Sequence, residues 1–324
     1  MLRTSFTELV GCDVPIQLAP MGGAGTPELA AAVVEAGGMA MLATALVPLP
    51  AVERMLTAVA ARARGPVGVN VLMPFYDAAF VEALAPRARL VDFYHGEPDA
   101  SAVARVHEGG ALAGWQVGEV DVAKAAVDAG CDLVVVRGTE GGGRMWGDRS
   151  LWPLLDEVLD AVDVPVVAAG GIGTGRGVAA ALAAGAAAVR MGTRFIATEE
   201  SGAHDVWKQA IIGASAGDTV LTDAFSVLWP NGPEPHRVLR SAVAAAERTD
   251  ADVVAELPTS GGAMPLPRFA AVPPSRHVTG QVEAMALYAG ESVYAVTGVE
   301  RAGDVVRAIA ADAEARLRTA AALL

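Results

Sequence analysis

The chain has 324 residues, and 53% of them are hydrophobic, which is enough to bury one large core or two modest ones and excludes a disordered protein. A net charge of -13, with no cluster of lysine and arginine, excludes nucleic acid and anionic membrane surfaces as expected partners. The longest uncharged apolar run, residues 36–52, is interrupted by two glycines and two prolines. We therefore expect no signal peptide and no membrane span, and predict a cytoplasmic protein.

The two cysteines, Cys12 and Cys131, are too few for a disulfide framework. They show no metal-ligand spacing with each other or with the five histidines. We expect both to be small core residues and predict no metal site.

Short apolar runs alternate with alanine-rich amphipathic stretches from the start of the chain to about residue 200. This alternation is typical of parallel strands joined by crossover helices. Eight strands are predicted, at residues 16–19, 39–43, 67–71, 90–94, 111–116, 133–137, 164–169 and 187–191. Eight such units predict an α/β fold, a (β/α)8 TIM barrel, whose active site lies on the loops that follow the strands.

The helices between the strands carry recognisable ends. Apolar residues recur at helical spacing in residues 26–35, 50–63, 120–129 and 175–184. Thr26 followed by Pro27 predicts a capped start of the first of these helices. Gly37, Gly130 and Gly185 stand where a C-terminal glycine ends a helix.

The alternation stops after residue 194. Residues 199–250 are predicted as helices interrupted by a proline-rich turn at 229–235, residues 257–274 as an ordered loop, and residues 302–324 as a final helix. We therefore divide the chain into a barrel, residues 1–198, and a mostly helical cap with a proline-rich loop, residues 199–324. The closing helix is expected to pack on the barrel.

Three glycine-rich segments follow predicted strands, at residues 19–25, 168–175 and 190–194. The last two stand where barrels of this kind bind phosphate through backbone N–H groups, and Thr193 adds a hydroxyl donor. For the first segment a plain tight turn is the alternative. For the second it is a dinucleotide fingerprint, but glycines at 171, 173, 175 and 177 do not match G-x-G-x-x-G.

A fourth glycine-rich segment, RGTEGGGRMWG at residues 137–147, follows the sixth strand. Three consecutive glycines raise the entropic cost of ordering a connector, so they indicate a specific purpose. We predict a backbone that lies against a flavin ring, with a flexible loop as the alternative.

With these segments the sequence resembles the nitronate monooxygenase family, also called 2-nitropropane dioxygenase-like. The motifs that carry the resemblance are APMGG at 19–23, TPELAAAV at 26–33, EAGG at 35–38, GVN at 68–70, PVVAAGGI at 165–172, GRGVAAALAAGA at 175–186, MGTRF at 191–195 and AMALYAGESV at 284–293. They extend over both barrel and cap.

The resemblance implies an oxidoreductase that binds FMN. It implies that the FMN phosphate contacts Gly171 and residues 190–193, and that the ring system lies near Met21, Gly22 and Asn70. Gln116 fits the ribityl or phosphate region, and a glutamine that merely ties two strands together is the alternative. The cofactor-binding residues implied are Pro20, Met21, Gly22, Asn70, Gln116, Arg137, Gly142, Gly170, Gly171, Arg190, Met191, Gly192 and Thr193.

The strand-six loop departs from the family pattern Q-G-x-E-A-G-G-H, because Arg137 and Arg144 replace its first and last residues. The family histidine is credited with acid–base work on the substrate. A guanidinium stays protonated, so Arg144 can bind an anion but can hardly abstract a proton. We predict that Arg144 is a catalytic residue that binds an anionic part of the substrate, and that Arg137 places a fixed charge near the flavin.

His95 directly follows the fourth strand, at the end of the barrel where catalytic groups of this fold gather. We predict that it is the proton-transfer histidine, with an ionisation near neutral pH; the alternative is a loop residue facing water. Glu140 and Asp148 are expected to be salt-bridge or capping groups, and His204 to be structural.

The function predicted is that of an FMN-dependent monooxygenase that oxidises a small, anionic, nitronate-like molecule with oxygen as acceptor. One alternative is an NAD(P)H-dependent flavoenzyme of the enoyl-thioester reductase kind, which makes NAD(P)H a candidate reductant. The other is a flavin-binding protein without turnover. A homodimer is one candidate assembly.

Overall fold

Eight parallel strands close into a barrel in the computed structural model, which describes residues 2–259 and 261–323. The strands are β1 (Ile16–Leu18), β2 (Met39–Ala43), β3 (Val67–Leu72), β4 (Leu90–Tyr94), β5 (Leu112–Val117), β6 (Leu133–Arg137), β7 (Val166–Ala169) and β8 (Ala188–Met191). Neighbours along the chain pair with each other, and β8 pairs with β1, where Arg190 lies opposite Gln17. The predicted barrel and its eight strands are confirmed.

A helix follows each of the first seven strands: α2 (Pro27–Glu35), α3 (Leu49–Ala60), α4 (Ala78–Leu84), α5 (Ala100–Glu108), α6 (Val120–Asp128), α7 (Leu151–Ala161) and α8 (Gly175–Ala183). The predicted helix ends are confirmed. The Thr26 hydroxyl accepts the N–H of Leu29 at 3.0 Å, and Gly37, Gly130 and Gly185 have positive φ.

Helix α1 (Ser5–Val10) precedes the barrel and closes its amino-terminal end. Its Phe6 and Val10 are buried among side chains inside the barrel, including Met39, Leu90 and Leu133. The sequence pattern did not predict this helix, because six residues are too few to show a helical period.

Helix α12 (Ala302–Ala321) takes the place in the ring of helices that would follow β8. The segment directly after β8 forms only the four-residue helix α9 (Thr193–Ile196), and α12 packs against α8 and α2 instead. Contact with α8 is close, since a Cβ on Gly175 would lie 2.8 Å from the backbone nitrogen of Ala313. The predicted end of this helix, Leu324, lies outside the described residues.

The cap between α9 and α12 combines helices and short strands. It contains α10 (Asp205–Ile212), α11 (Arg240–Arg248), β9 (Thr219–Thr222), β10 (His236–Leu239), β11 (Val253–Thr259), β12 (Gly262–Pro267) and β13 (Thr279–Gly280). Two of these strands lie in the segment predicted as helices, and β11 and β12 extend through part of the predicted loop. None of the helices in residues 2–259 and 261–323 is long and apolar enough to cross a membrane.

One cap sheet includes a piece of the barrel's own loop. Strand β10 pairs with β9 on one side and, on the other, with the two-residue strand Gly143–Arg144 from the β6 loop. His236 is thereby placed opposite Arg144. This long-range pairing explains why local sequence patterns did not predict the strands of this sheet.

The barrel interior is apolar near α1 and polar above it. Alternate residues of the strands point inward, and the lower ones, among them Met41, Leu133 and Val167, form an apolar layer with α1. The layer above contains Gln17, Asn70, Asp92, Gln116 and Arg190, all buried.

Arg190 connects the residues of this polar layer. Its guanidinium pairs with Asp92 and donates to the side-chain oxygens of Gln17 at 2.7 Å and Gln116 at 3.0 Å. The second carboxylate oxygen of Asp92 accepts from the Asn70 amide at 2.8 Å. The charge pair is thus enclosed by hydrogen bonds, as a buried ion pair needs to be.

We expect Asp92→Ala to lower the free energy of unfolding by about 3–5 kcal/mol, because it leaves the Arg190 charge buried without a counter-ion. The double variant Asp92→Ala/Arg190→Met should lose less, since it removes both charges. Equilibrium urea unfolding measures the difference, with Asp121→Ala, which removes an exposed partner of Lys124, as the control. If Asp92→Ala were as stable as the double variant or more stable, this account of the network would be wrong.

Candidate active site

The loops at the carboxyl ends of the strands meet in one place, as the sequence predicted for its glycine-rich segments. A Cβ on Gly192, after β8, would lie 3.3 Å from the Met21 sulfur, which belongs to the β1 loop. A Cβ on Gly171, after β7, would lie 3.1 Å from the Cβ of Glu140 in the β6 loop. Pro20 and Met21 are half-buried there, and Gly22 is exposed.

The β7 loop makes a turn that requires glycine. Gly170 and Gly171 have φ of 118° and 68°, so both occupy a region that other residues rarely adopt. A Cβ on Gly170 would also meet the carbonyl oxygen of Gly138 at 3.1 Å. Turns of this kind direct successive backbone N–H groups toward an anion.

The β8 loop adds a hydroxyl and joins the cap. Thr193 is buried, and its Oγ1 accepts the N–H of Gly290 at 2.9 Å, which leaves the hydroxyl hydrogen free to donate. Met191 packs its side chain outward against the helices, with Phe195 and Leu29 in the same core. Only the backbone of Met191 therefore faces the loops.

Packing within the protein accounts for the three glycines of the β6 loop. A Cβ on Gly141 would meet Nε of Arg137 at 2.8 Å, and one on Gly142 would meet the backbone nitrogen of Gly290 at 2.6 Å. Gly143 has φ of 85°. Contact between Gly142 and a flavin stays a prediction.

Arg137 holds the β6 loop in position. Its Nη1 donates to the Tyr94 hydroxyl at 3.1 Å and to the carbonyl of Arg144, and its Nη2 donates to the carbonyl of Gly142. The Tyr94 hydroxyl also accepts the N–H of Trp146 at 2.9 Å. Tyr94 was missed by the sequence reasoning, although it is the last inward-facing residue of β4, next to His95.

Arg144 lies inside the site with only 8% of its surface exposed. Its Nη2 donates to the carbonyl of Phe225, and its Cζ lies 4.2 Å from the centroid of the Trp229 ring. The Tyr288 hydroxyl lies beside the guanidinium. Burial lowers the pKa of Arg144 from its usual value. Nη1 is buried without a hydrogen-bond partner among the described residues, so one strong donor is available to a ligand.

His236 fixes the peptide that holds Arg144. The N–H of Phe225 donates to Nε2 of His236 at 3.1 Å, and Nδ1 of His236 lies 2.9 Å from the carbonyl oxygen of Glu234. Burial lowers the pKa of His236 to about 4, so the ring is neutral at neutral pH and can accept at Nε2. No local sequence pattern pointed to this role, because His236 and Phe225 lie more than 80 positions along the chain from Arg144.

His95 is buried at the mouth of the barrel, 4% exposed, with φ of 62°. This excludes the alternative of a loop residue facing water. Its Nδ1 lies 3.5 Å from Oε2 of Glu234 and has no hydrogen bond to any described residue. Positive φ at a bulky residue is a strain that often accompanies function.

The electrostatic surroundings of His95 do not support the expected ionisation near neutral pH. Burial, reinforced by the positive charges of Arg137 and Arg144, lowers the pKa of His95 to about 3. The ring is therefore neutral at working pH. It can donate or accept a hydrogen bond, but it is a weak base.

Trp229 and Glu234 complete the mouth of the site, and both were missed. The indole N–H donates to Oε2 of Glu234 at 2.7 Å, and the Trp229 ring packs edge-on against Phe75 and His95 at centroid distances of 5.8 and 5.3 Å. The available signal was an aromatic residue in the proline-rich turn 229–235.

Asn70, Gln116 and Arg190, predicted as cofactor contacts, belong to the polar layer below the loops. Gln116 accepts from Arg190, so the alternative of a glutamine that ties two strands together is observed. Asn70 directs its amide nitrogen to Asp92. Its amide oxygen therefore carries the remaining hydrogen-bonding capacity.

The remaining polar candidates have structural roles. Glu140 accepts the N–H of Leu151 at the start of α7, and His204 accepts the N–H of Val206 at the start of α10. In the part of the chain that the structure describes, no group of three or more histidine, cysteine, aspartate or glutamate side chains could hold a metal ion. Both cysteines are at least partly buried, which raises the pKa of each thiol to about 12.

The charges of the site favour an anion. At the mouth, two guanidinium groups, Arg137 and Arg144, and one carboxylate, Glu234, lie near the buried neutral His95. Such a site can bind and orient a negatively charged group and stabilise negative charge that develops during a reaction.

Comparison with known proteins shows the family to which the chain belongs. The family model described as nitronate monooxygenase matches residues 3–85 and 76–312. A 5-hydroxy-7a-methyl-1-oxo-octahydro-1H-indene-4-carboxyl-CoA dehydrogenase from Rhodococcus jostii is 37% identical over 74% of this chain and 66% of its own length. The match thus spans about two thirds of that relative.

Two solved structures share the whole fold. FabK from Thermotoga maritima superposes with a TM-score of 0.81 at 27% identity, and the match covers 100% of both chains. A nitroalkane oxidase from Streptomyces ansochromogenes superposes with a TM-score of 0.77 at 30% identity, over 98% of this chain and 100% of the other. Together with the family match, these likenesses establish that the chain belongs to the nitronate monooxygenase family of oxidoreductases.

Proposed function

We propose that the protein is an FMN-dependent oxidoreductase that oxidises a small, anionic, nitronate-like molecule with oxygen as acceptor. The observation that carries the proposal is Arg144, a buried cation whose Nη1 has no partner in the described residues. The resemblance to the family pattern puts it at the position of the acid–base histidine. A substrate that is already ionised needs a positive charge there and does not need a base.

The loops fit the phosphate end of FMN. Gly170 and Gly171 form a turn without side chains, and the hydroxyl of Thr193 is free to donate. A phosphate there would be held by backbone N–H groups and this hydroxyl. Arg190 is committed to Asp92, Gln17 and Gln116, so we assign it to supporting the floor of the site.

Bound FMN supplies the electron acceptor for the substrate. The protein's residues bind and orient the substrate beside it. Arg144 donates from Nη1 to an oxygen of the anion, while Phe225 and Trp229 keep the guanidinium in place. His95 offers a second polar atom, Nδ1, at the same mouth, and burial limits the access of water.

A coenzyme A thioester is a second candidate substrate. The observation that favours it is the 37% identical Rhodococcus relative, whose name is that of a carboxyl-CoA dehydrogenase. The enolate of a thioester carries an anionic oxygen, which Arg144 could stabilise in the same way as a nitronate oxygen. Anaerobic addition of a nitronate, an acyl-CoA or NAD(P)H to the yellow protein would show which one bleaches the flavin.

The first prediction is that the purified protein releases FMN on denaturation, and that Gly192→Val empties the site. A side chain at 192 would begin 3.3 Å from the Met21 sulfur and extend into the space assigned to the phosphate. Chromatography of the released flavin measures both. Gly217→Val is the control, because a Cβ at residue 217 meets nothing within 4 Å. Release of FAD alone, or of no flavin, from the unmodified protein would refute the assignment.

The second prediction concerns Arg144. We expect Arg144→Ala to raise the KM for ethyl nitronate by roughly 10- to 100-fold, because a charged hydrogen bond contributes about 1.5–3 kcal/mol. Arg144→Lys should recover part of the loss through its charge. Steady-state oxygen consumption measures kcat and KM, with Arg62→Ala as the control, since that exposed arginine pairs with Glu28 of α2. An unchanged KM in Arg144→Ala would refute the role.

The third prediction is that no His95 ionisation appears in the pH profile of flavin reduction between about pH 6 and 9. With a pKa of about 3, the folded protein keeps His95 neutral throughout this range. His95→Gln should therefore change the rate but not the shape of the profile. An inflection near neutral pH that His95→Gln abolishes would contradict the neutral state.

The same lowered pKa has a consequence for stability, with a sign that follows from linkage. The unfolded chain takes up a proton on His95 below pH 6.5, whereas the folded chain does so only near pH 3. The stability that the neutral His95 ring contributes to the folded state is therefore full above pH 6.5 and is lost as the pH falls toward 3. Between pH 6 and 4 the unfolding free energy of the wild type should fall faster than that of His95→Gln, by up to about 1.4 kcal/mol per pH unit. His107→Gln, at an exposed site, is the control.

A further inference from the structure

We propose that Trp229 is the residue that restricts the site to small anions, because its indole covers the approach to Arg144. The Trp229 ring lies 4.2 Å from Cζ of Arg144 and is half-buried, whereas Arg144 itself is almost fully buried. The indole therefore covers one face of the guanidinium and contributes to its burial. This inference rests on the proposed binding of an anion at Arg144.

The indole is held in place by polar contacts on its own turn. Its N–H donates to Oε2 of Glu234 at 2.7 Å, and Oε1 of Glu234 accepts from the side chain of Asn231 at 2.9 Å. In the backbone, the amide N–H of Trp229 donates to the carbonyl of Ser226, and the amide N–H of Gly232 donates to the carbonyl of Trp229. The ring is thus fixed as part of a closed turn.

Aromatic side chains from the barrel loops also contact the indole ring. Phe75, after β3, and His95, after β4, both pack edge-on against the indole. These two contacts keep the ring from rotating aside. Arg144 occupies one face, attracted by the negative face of the ring. Three barrel loops and the cap therefore determine where the indole lies.

The position of the indole limits what can reach Nη1 of Arg144. A compact oxyanion, such as a carboxylate or nitro group on one or two carbons, needs little space beside the ring. A bulky group attached directly to the anionic head would collide with the indole or with the rings of Phe75 and His95. Removal of the indole should therefore shift the preference of the site from small to large anions.

The test is a binding series with three carboxylates of increasing size, acetate, benzoate and 2-naphthoate, measured by titration calorimetry on the purified full chain. Carboxylates need no turnover, so the readout does not depend on the flavin reaction. We expect Trp229→Ala to change the ratio of 2-naphthoate to acetate affinity at least 10-fold in favour of 2-naphthoate. Trp229→Phe, which keeps a smaller ring, should give an intermediate ratio. It tests the size preference if the alanine variant fails to fold.

Two further variants separate the outcomes. Trp152→Phe, at an exposed tryptophan at the start of α7, should behave as the wild type. If Arg144→Ala abolishes binding while both Trp229 variants keep the wild-type size preference, the inference about Trp229 is wrong and the anion site stands. If Arg144→Ala binds all three carboxylates as the wild type does, the anion site itself is wrong, and both proposals fail.

Discussion

A permanent positive charge buried at the mouth of the barrel is the constraint around which the site is organised. The guanidinium of Arg144 cannot lose its proton at any ordinary pH, so its burial requires acceptors or an aromatic face. The carbonyl of Phe225 and the ring of Trp229 meet that requirement, and both come from the cap. The cap is joined to the same loop by the pairing of β10 with Gly143–Arg144. The arginine and the cap therefore depend on each other.

A second guanidinium, Arg137, lies in the same mouth and serves a different purpose. It donates to the carbonyls of Gly142 and Arg144 and to the Tyr94 hydroxyl, which fixes the backbone of the loop rather than a ligand. The two positive charges together oppose protonation of His95. The resemblance to the family pattern implies a histidine at position 144, where this chain has a fixed charge, and His95 at the mouth is held neutral. The mouth therefore combines a fixed positive charge with a neutral imidazole, which is a weak base.

The parts of the structure that were predictable are those set by local sequence. Periodicity predicts the eight strands and the start of α2, which Thr26 caps. The closure of a barrel predicts that the glycine-rich loops meet. The contacts of Phe225, Trp229 and His236 with Arg144 in the β6 loop were not predictable, because residues more than 80 positions apart must meet and no local pattern records their pairing. Asp92 offered a signal, a carboxylate in an otherwise apolar strand, but its partner Arg190 was assigned to the cofactor.

The position of α12 bears on how the protein is made. When all eight strands have been synthesised, α12, which fills the gap between α2 and α8, has not yet been made, because the whole cap is encoded between β8 and α12. Val305, Val306 and Ile309 bury their side chains in the same core as the outer faces of the strands. Until they emerge, one side of the nascent barrel presents apolar surface to solvent. Synthesis of the last helix is the event that seals the outer core.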